Sequence, residues 1–156
     1  MKEPAAAPEV RRPSAPLRDT SRSLPIALLR ARERVMGPIR AKLADVGVTE
    51  QQWRVLRVLD EGGPLDPTAI AERACLLAPS LTRIARTLEA KGLITRAPHE
   101  SDGRKVRIDI SDEGRALIAA AAPRSNLIFA ELEAAYGAEK LERLLDLLED
   151  LVATDL

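Results

Sequence analysis

At 156 residues, with 24 Lys/Arg balanced by 24 Asp/Glu, the chain is of single-domain size and carries no formal net charge. Its one cysteine excludes an internal disulfide framework, and no stretch approaches the roughly 20 apolar residues of a membrane span, so a soluble protein of the reducing cytoplasm is expected. Neutrality conceals a partition: residues 79–107 have net charge +4, residues 108–156 have −7 and residues 1–78 have +3, a pattern compatible with docking one basic stretch on phosphate.

Residues 1–22 hold Pro4, Pro8, Pro13 and Pro16 among mixed charges, without the apolar stretch of a signal peptide, and are expected to be a disordered tail. Ser23 can cap a helix with Pro25 in its first turn. Leu24, Leu28, Ala31, Val35, Ile39 and Leu43 repeat there at helical spacing, opposite Arg30, Arg32, Arg34 and Arg40. Gly37-Pro38 predicts a kink or a break into two pieces. This long helix has no evident core within its own subunit, and a partner subunit would supply one.

Gly47 closes the first helix, and Thr49-Glu50-Gln51-Gln52 opens the second with a capping box. Trp53, Val55, Leu56, Val58 and Leu59 make it apolar over a wide arc, which predicts a central, buried helix ended by Gly62-Gly63-Pro64. Asp66 caps a third helix, residues 66–75, with Pro67 at its first position and a narrow face of Ile70, Ala71 and Ala74. Cys75, at its apolar end, is expected to be a buried, inert thiol.

After Leu76-Leu77-Ala78, a fourth helix over 79–91 turns Leu81, Ile84 and Leu88 inward. Ser80, Arg83, Arg86 and Thr87 then face outward, with Thr82 near the edge. Gly92 and Leu93 are expected to end this helix in a left-handed cap. From Lys105 the residues alternate, with Val106, Ile108 and Ile110 on one face, as in a half-buried strand. Its antiparallel partner is Leu93 to Ala97, and the loop between projects as a finger tipped by Glu100-Ser101-Asp102-Gly103-Arg104-Lys105. Ser111, Asp112 and Glu113 start a fifth helix that runs past Pro123 to about Ala135. Gly137 separates it from a sixth, striped by Leu141, Leu144, Leu145, Leu148 and Leu151. Two short helices followed by a ribbon, between Asp66 and Gly114, make a winged helix-turn-helix in a mainly α (α+β) fold.

The major groove admits one helix, and Arg is its commonest reader of guanine. Arg83 and Arg86 share a face of the fourth helix, with Ser80 and Thr82 at its start, where hydroxyls and backbone N–H groups can hold phosphate, and Thr87 alongside. A solvated amphipathic surface is the plain alternative; the capped helix before it and the ribbon after it favour DNA. At the tip, Arg104 can enter a narrowed minor groove, braced by Asp102, with Lys105 beside it and His99 near the sugar–phosphate backbone. There the plain alternative is a solvated turn at Asp102-Gly103.

Asp102-Gly103-Arg104-Lys105-Val106-Arg107-Ile108-Asp109-Ile110-Ser111-Asp112-Glu113-Gly114 resembles the wing signature of MarR-type transcriptional regulators. Leu88-Glu89-Ala90-Lys91-Gly92-Leu93-Ile94 is similar to that family's recognition-helix exit, and the resemblance covers Ser23 to about Leu151. Within the family, Arg30-Ala31-Arg32-Glu33-Arg34-Val35-Met36 and Val48-Thr49-Glu50-Gln51-Gln52-Trp53-Arg54 resemble the branch that controls homoprotocatechuate degradation. Gly103 departs from the pattern, which usually has a second Arg there.

The resemblance implies a cytoplasmic homodimer, with dimerisation helices at about 23–46 and 112–153 and a DNA-binding lobe at about 48–110. Both recognition helices would enter successive major grooves of a palindromic operator, with repression as the family's habit. Family members often release DNA when a small aromatic acid binds between these parts. Trp53 could supply an apolar wall for such an acid and Arg30 or Arg34 a carboxylate partner, unless Trp53 is plain core and the arginines are solvated. Relatives that sense peroxide use a cysteine near the start of the first helix, and this chain has none there. An enzyme is disfavoured because His99 and Cys75 lie in no motif that supplies a base or metal-ligand spacing, so no catalytic residue, metal or cofactor is expected. A regulator with an unrelated effector, and a helical interaction module that never meets DNA, stay open.

Overall fold

The computed structural model describes residues 19–99 and 102–155, the side chains of residues 99 and 102–104 excepted. After a 3-10 turn at Thr20–Arg22 come α1 (Leu24–Asp45), α2 (Glu50–Gly62), α3 (Pro67–Arg73), α4 (Ala78–Ala90), β1 (Ile94–His99), β2 (Asp102–Ile110), α5 (Asp112–Tyr136) and α6 (Ala138–Val152). The chain divides into two units, residues 1–34 and 35–156.

Of the tail expected over residues 1–22, residues 1–18 lie outside the described residues, and Thr20–Arg22 forms a 3-10 turn in which the Asp19 carboxylate accepts the Ser21 N–H at 2.8 Å. Leu24, Leu28 and Leu29, on the first half of α1, are exposed. Of the kink or break expected at Gly37-Pro38, the break does not occur: α1 is one helix with Pro38 inside it. Pro38 removes one N–H and crowds the preceding turn. Beyond it Ile39 and Leu43 are buried, and that burial offsets the lost bond.

The second unit is built around α2. Its capping box forms as expected: the Gln52 N–H donates to Thr49 Oγ1 at 3.2 Å, and the Thr49 N–H donates to Gln52 Oε1 at 3.0 Å. Val55, Leu56 and Leu59 are fully buried, and each such side chain contributes about 1.5–3 kcal/mol on burial. Trp53 is only half-buried, at the margin of the core rather than its centre. Ile70 and Ala71 of α3, Leu81, Ile84 and Leu88 of α4, Ile108 and Ile110 of β2, and Ile118 of α5 complete the same core.

Asp66 caps α3 by accepting the Ala69 N–H at 2.9 Å. The helix ends with the Leu76 N–H on the Ala71 carbonyl at 2.8 Å and the Cys75 N–H on the Glu72 carbonyl at 3.1 Å. That double closure puts Cys75 at φ +50, in the left-handed position that glycine usually fills. A side chain there leaves the helix surface, so Cys75 is exposed and the expectation of a buried thiol is corrected.

α4 ends in the same way, with Gly92 at φ +71 and the Leu93 N–H on the Leu88 carbonyl at 2.9 Å. β1 and β2 pair antiparallel from Ile94↔Ile110 to His99↔Asp102, with a register shift between Pro98 and His99. Both strands therefore run further toward the tip than expected. Pro98 still faces Val106, and the extra residues of the shift lie on β2, between Asp102 and Val106. Leu65 adds a bridge on the other edge of β2, exchanging both backbone bonds with Ile108 at 3.0 and 2.9 Å. Ile108 and Ile110 are buried, whereas Val106 is 40% exposed, so the inward alternation holds only at the base of the ribbon.

At the entry to α5, Ser111 Oγ accepts the Gly114 N–H at 3.0 Å and donates to the Gly92 carbonyl at 2.6 Å. A Cβ on residue 114 would overlap the Leu93 carbonyl oxygen and stand 2.6 Å from Ile110 Cγ1. Gly114→Ala is accordingly expected to lower stability by about 3 kcal/mol, the upper range for overpacking, as a fall in the urea unfolding midpoint.

Candidate nucleic-acid interface

α4 separates its faces as its spacing predicts. Leu81, Ile84, Ala85 and Leu88 are buried; Thr82, Arg83 and Arg86 are exposed; Ser80 and Thr87 are half-buried. Both threonine hydroxyls turn back on the helix: Thr82 Oγ1 donates to the Ala78 carbonyl at 3.1 Å and Thr87 Oγ1 to the Arg83 carbonyl at 3.2 Å. Outward they offer lone pairs and methyl groups, so a phosphate bond from Thr82 would cost the bond to Ala78. The first turn has no side-chain cap, and the N–H groups of Ala78 and Ser80 are open to an anion.

The basic stretch divides by what each cation touches. Lys91 Nζ donates to the Gly47 carbonyl at 2.6 Å, tying the end of α4 to the loop after α1. Arg96 Nε pairs with Glu89 at 3.0 Å, joining β1 to α4, and Arg107 donates to the Pro64 carbonyl at 2.6 Å, joining β2 to the loop before α3. These three hold the lobe together. Arg83, Arg86 and Lys105 are exposed, and none of them pairs with another described residue. His99, Asp102 and Arg104 contribute backbone to the ribbon, and their side chains, with the expected Asp102–Arg104 brace, lie outside the described residues.

One contributor is invisible to spacing arguments. Arg54 reaches from α2 to the turn between α3 and α4, donating from Nη1 to the carbonyls of Ala74 at 2.6 Å and Cys75 at 3.3 Å. Its Nε is buried without a hydrogen-bond partner among the described residues. Arg54 follows Trp53 in a motif quoted above, but nothing in that motif says which carbonyls it will meet. Arg115, in the first turn of α5, similarly spans Asp60 at 3.4 Å and Asp109 at 3.6 Å.

Of the expected effector-binding residues, Arg30 and Arg34 are exposed on the first half of α1, and Trp53 lies on α2. Among the described residues no cluster of His, Cys, Asp or Glu could hold a metal ion, and no helix is long and apolar enough to cross a membrane. Arg54→Ala should lower stability by about 1–2 kcal/mol in urea unfolding, because the gain from removing a buried orphan donor partly offsets the loss of charged bonds to two carbonyls.

With the helix-turn-helix and its two-stranded wing described, the chain can be set beside known proteins. The model of the MarR family matches residues 48–106. The homoprotocatechuate degradative operon repressor of Escherichia coli is 41% identical over 131 residues, covering 84% of this chain and 88% of that protein. NadR, solved in complex with 4-hydroxyphenylacetate, is 35% identical with a TM-score of 0.77, over 90% of this chain and 100% of that one. The transcriptional repressor CouR, bound to a 23-mer DNA duplex, is 30% identical with a TM-score of 0.73, over 85% and 94%. Sharing sequence and fold along nearly the whole length of such relatives, the chain belongs to the MarR family.

Proposed function

We propose that this chain is a homodimeric, non-enzymatic repressor of the cytoplasm that binds a palindromic operator of aromatic-acid catabolic genes and releases it when a small aromatic acid binds. The observation that carries this reading is the pair Arg83 and Arg86, exposed on the face of α4 opposite its buried side and without a partner among the described residues. Guanidinium groups with no partner among the described residues are suited to guanine edges and phosphates. Ser80, Thr82 and Thr87 would flank them, and His99, Asp102, Arg104 and Lys105 of the ribbon would follow the adjacent backbone and minor groove. The exposed leucines of α1 and α6, with Leu127, Phe129 and Tyr136 of α5, are apolar surface that a second copy would cover.

The aromatic acid is favoured by two relatives, one a repressor of a homoprotocatechuate operon and one holding 4-hydroxyphenylacetate. Trp53 would face its ring, and Arg30 or Arg34 would pair with its carboxylate.

The deciding experiment is retardation of DNA from upstream of the gene across a salt series. Retention that is sequence-selective and falls steeply with salt is expected, whereas an interaction module or an enzyme gives none. Arg83→Ala should cost about 1–3 kcal/mol and relax preference at particular bases, while Arg104→Ala should weaken binding evenly across sequences. Should both variants keep full operator affinity, the reading face lies elsewhere. Titration with 4-hydroxyphenylacetate in a calorimeter should give heat and a matching loss of operator affinity; intact DNA binding with neither effect would assign the regulator a different effector.

A further inference from the structure

Leu77 stands at the N-cap of α4, where Ser, Thr, Asp or Asn usually supplies a capping bond, and it makes no such bond. Its side chain is 77% exposed; among the described large apolar side chains only Val152, near the end of the chain, is more so. Ala78 and Pro79, which follow it, are also exposed. The leading turn of the recognition helix therefore offers no side-chain donor or acceptor before Ser80, and Thr82 turns its own hydroxyl proton inward to the Ala78 carbonyl. In a helix-turn-helix the N-terminal residues of the second helix are the ones that meet base edges. On those edges the major groove presents one apolar group, the C5-methyl of thymine. Against any other edge, an isobutyl group would cover donors and acceptors without satisfying them.

Building on the DNA-binding reading above, we propose that Leu77 is a specificity-determining residue whose side chain packs on the 5-methyl group of a thymine, once in each half-site of the operator. Arg83 and Arg86, further along the helix, then select polar edges, and the apolar tip selects the methyl. The two kinds of contact read different base pairs, so their losses are separable.

The test begins with an operator selected from random duplexes by the full-length chain; failure to select any sequence overturns the DNA-binding reading itself. With an operator in hand, each thymine is replaced singly by uracil, which removes only the methyl group. One symmetric pair of positions should weaken binding by the native chain roughly fourfold per site, the value for burying one methyl-sized group. Leu77→Ala should bind thymine and uracil at that pair equally while keeping the native response at every other thymine. Leu77→Met, which retains the apolar surface, should keep the preference even if Leu77→Ala binds too weakly to measure. Both variants should unfold at the native midpoint, because the side chain is exposed. The proposal is overturned if no thymine is methyl-sensitive, if the sensitive pair responds alike in the native chain and Leu77→Ala, or if Leu77→Met loses the preference. It is equally overturned if Leu77→Ala changes subunit association instead of base preference.

Discussion

The structure depends on the close approach between the end of the recognition helix and the start of α5. The Leu93 carbonyl accepts the Ser111 N–H at 3.1 Å, the Ser111 hydroxyl donates to the Gly92 carbonyl at 2.6 Å, and only a glycine at 114 leaves room for that arrangement. The left-handed Gly92 turns the chain out of α4, Leu93 enters the core, and Ser111 caps α5. One junction thus fixes the exit of the helix that would read bases, the base of the wing and the root of a helix with an exposed apolar surface. The two stretches that carry the family resemblance, Leu88 to Ile94 and Asp102 to Gly114, are the two halves of this junction. Their residue types follow from it: two glycines at positions no side chain can occupy without strain or overlap, and a hydroxyl that satisfies two backbone groups at once.

Around it the charged residues divide their labour. Lys91, Arg107, Arg54 and Arg115 each bridge elements distant in sequence, three of them by donating to backbone carbonyls, and Arg96 ties β1 to the end of the neighbouring α4. Such bonds position the lobe, and the cations that make them are engaged within it. Arg83, Arg86 and Lys105, with no partner among the described residues, are free to attract phosphate. A net charge of zero is therefore a poor guide to this protein, because charge spent on internal bridges and charge presented to solvent count alike in the sum.

The helical ends tell a complementary story about burial. α6 has no buried residue although its leucines recur at helical spacing, and Leu127, Phe129 and Tyr136 of α5 are exposed as well. The same periodicity in α4 and α2 marks faces that are buried. Spacing identifies an apolar face; what covers it depends on whether the chain folds back there.

Local chemistry made the element order, most boundaries and the outward face of α4 legible in the sequence. Caps at Thr49, Asp66, Ser111 and Gly92 act within a few residues, and helical spacing sorts Leu81, Ile84 and Leu88 from Arg83 and Arg86 without reference to anything distant. The exposure of Cys75 and the inward turn of the threonine hydroxyls rest on bonds to backbone within five residues, which no apolar period marks. Tertiary structure alone decided the continuity of α1 through Pro38, the Leu65 bridge, the register shift at Pro98 and the clamp from Arg54. Most of these depend on residues brought together from far along the chain, or on which of two competing local costs the core outweighs. Neither leaves a period in the sequence, because a contact across many residues is set by how the helices pack and not by the spacing of its two ends.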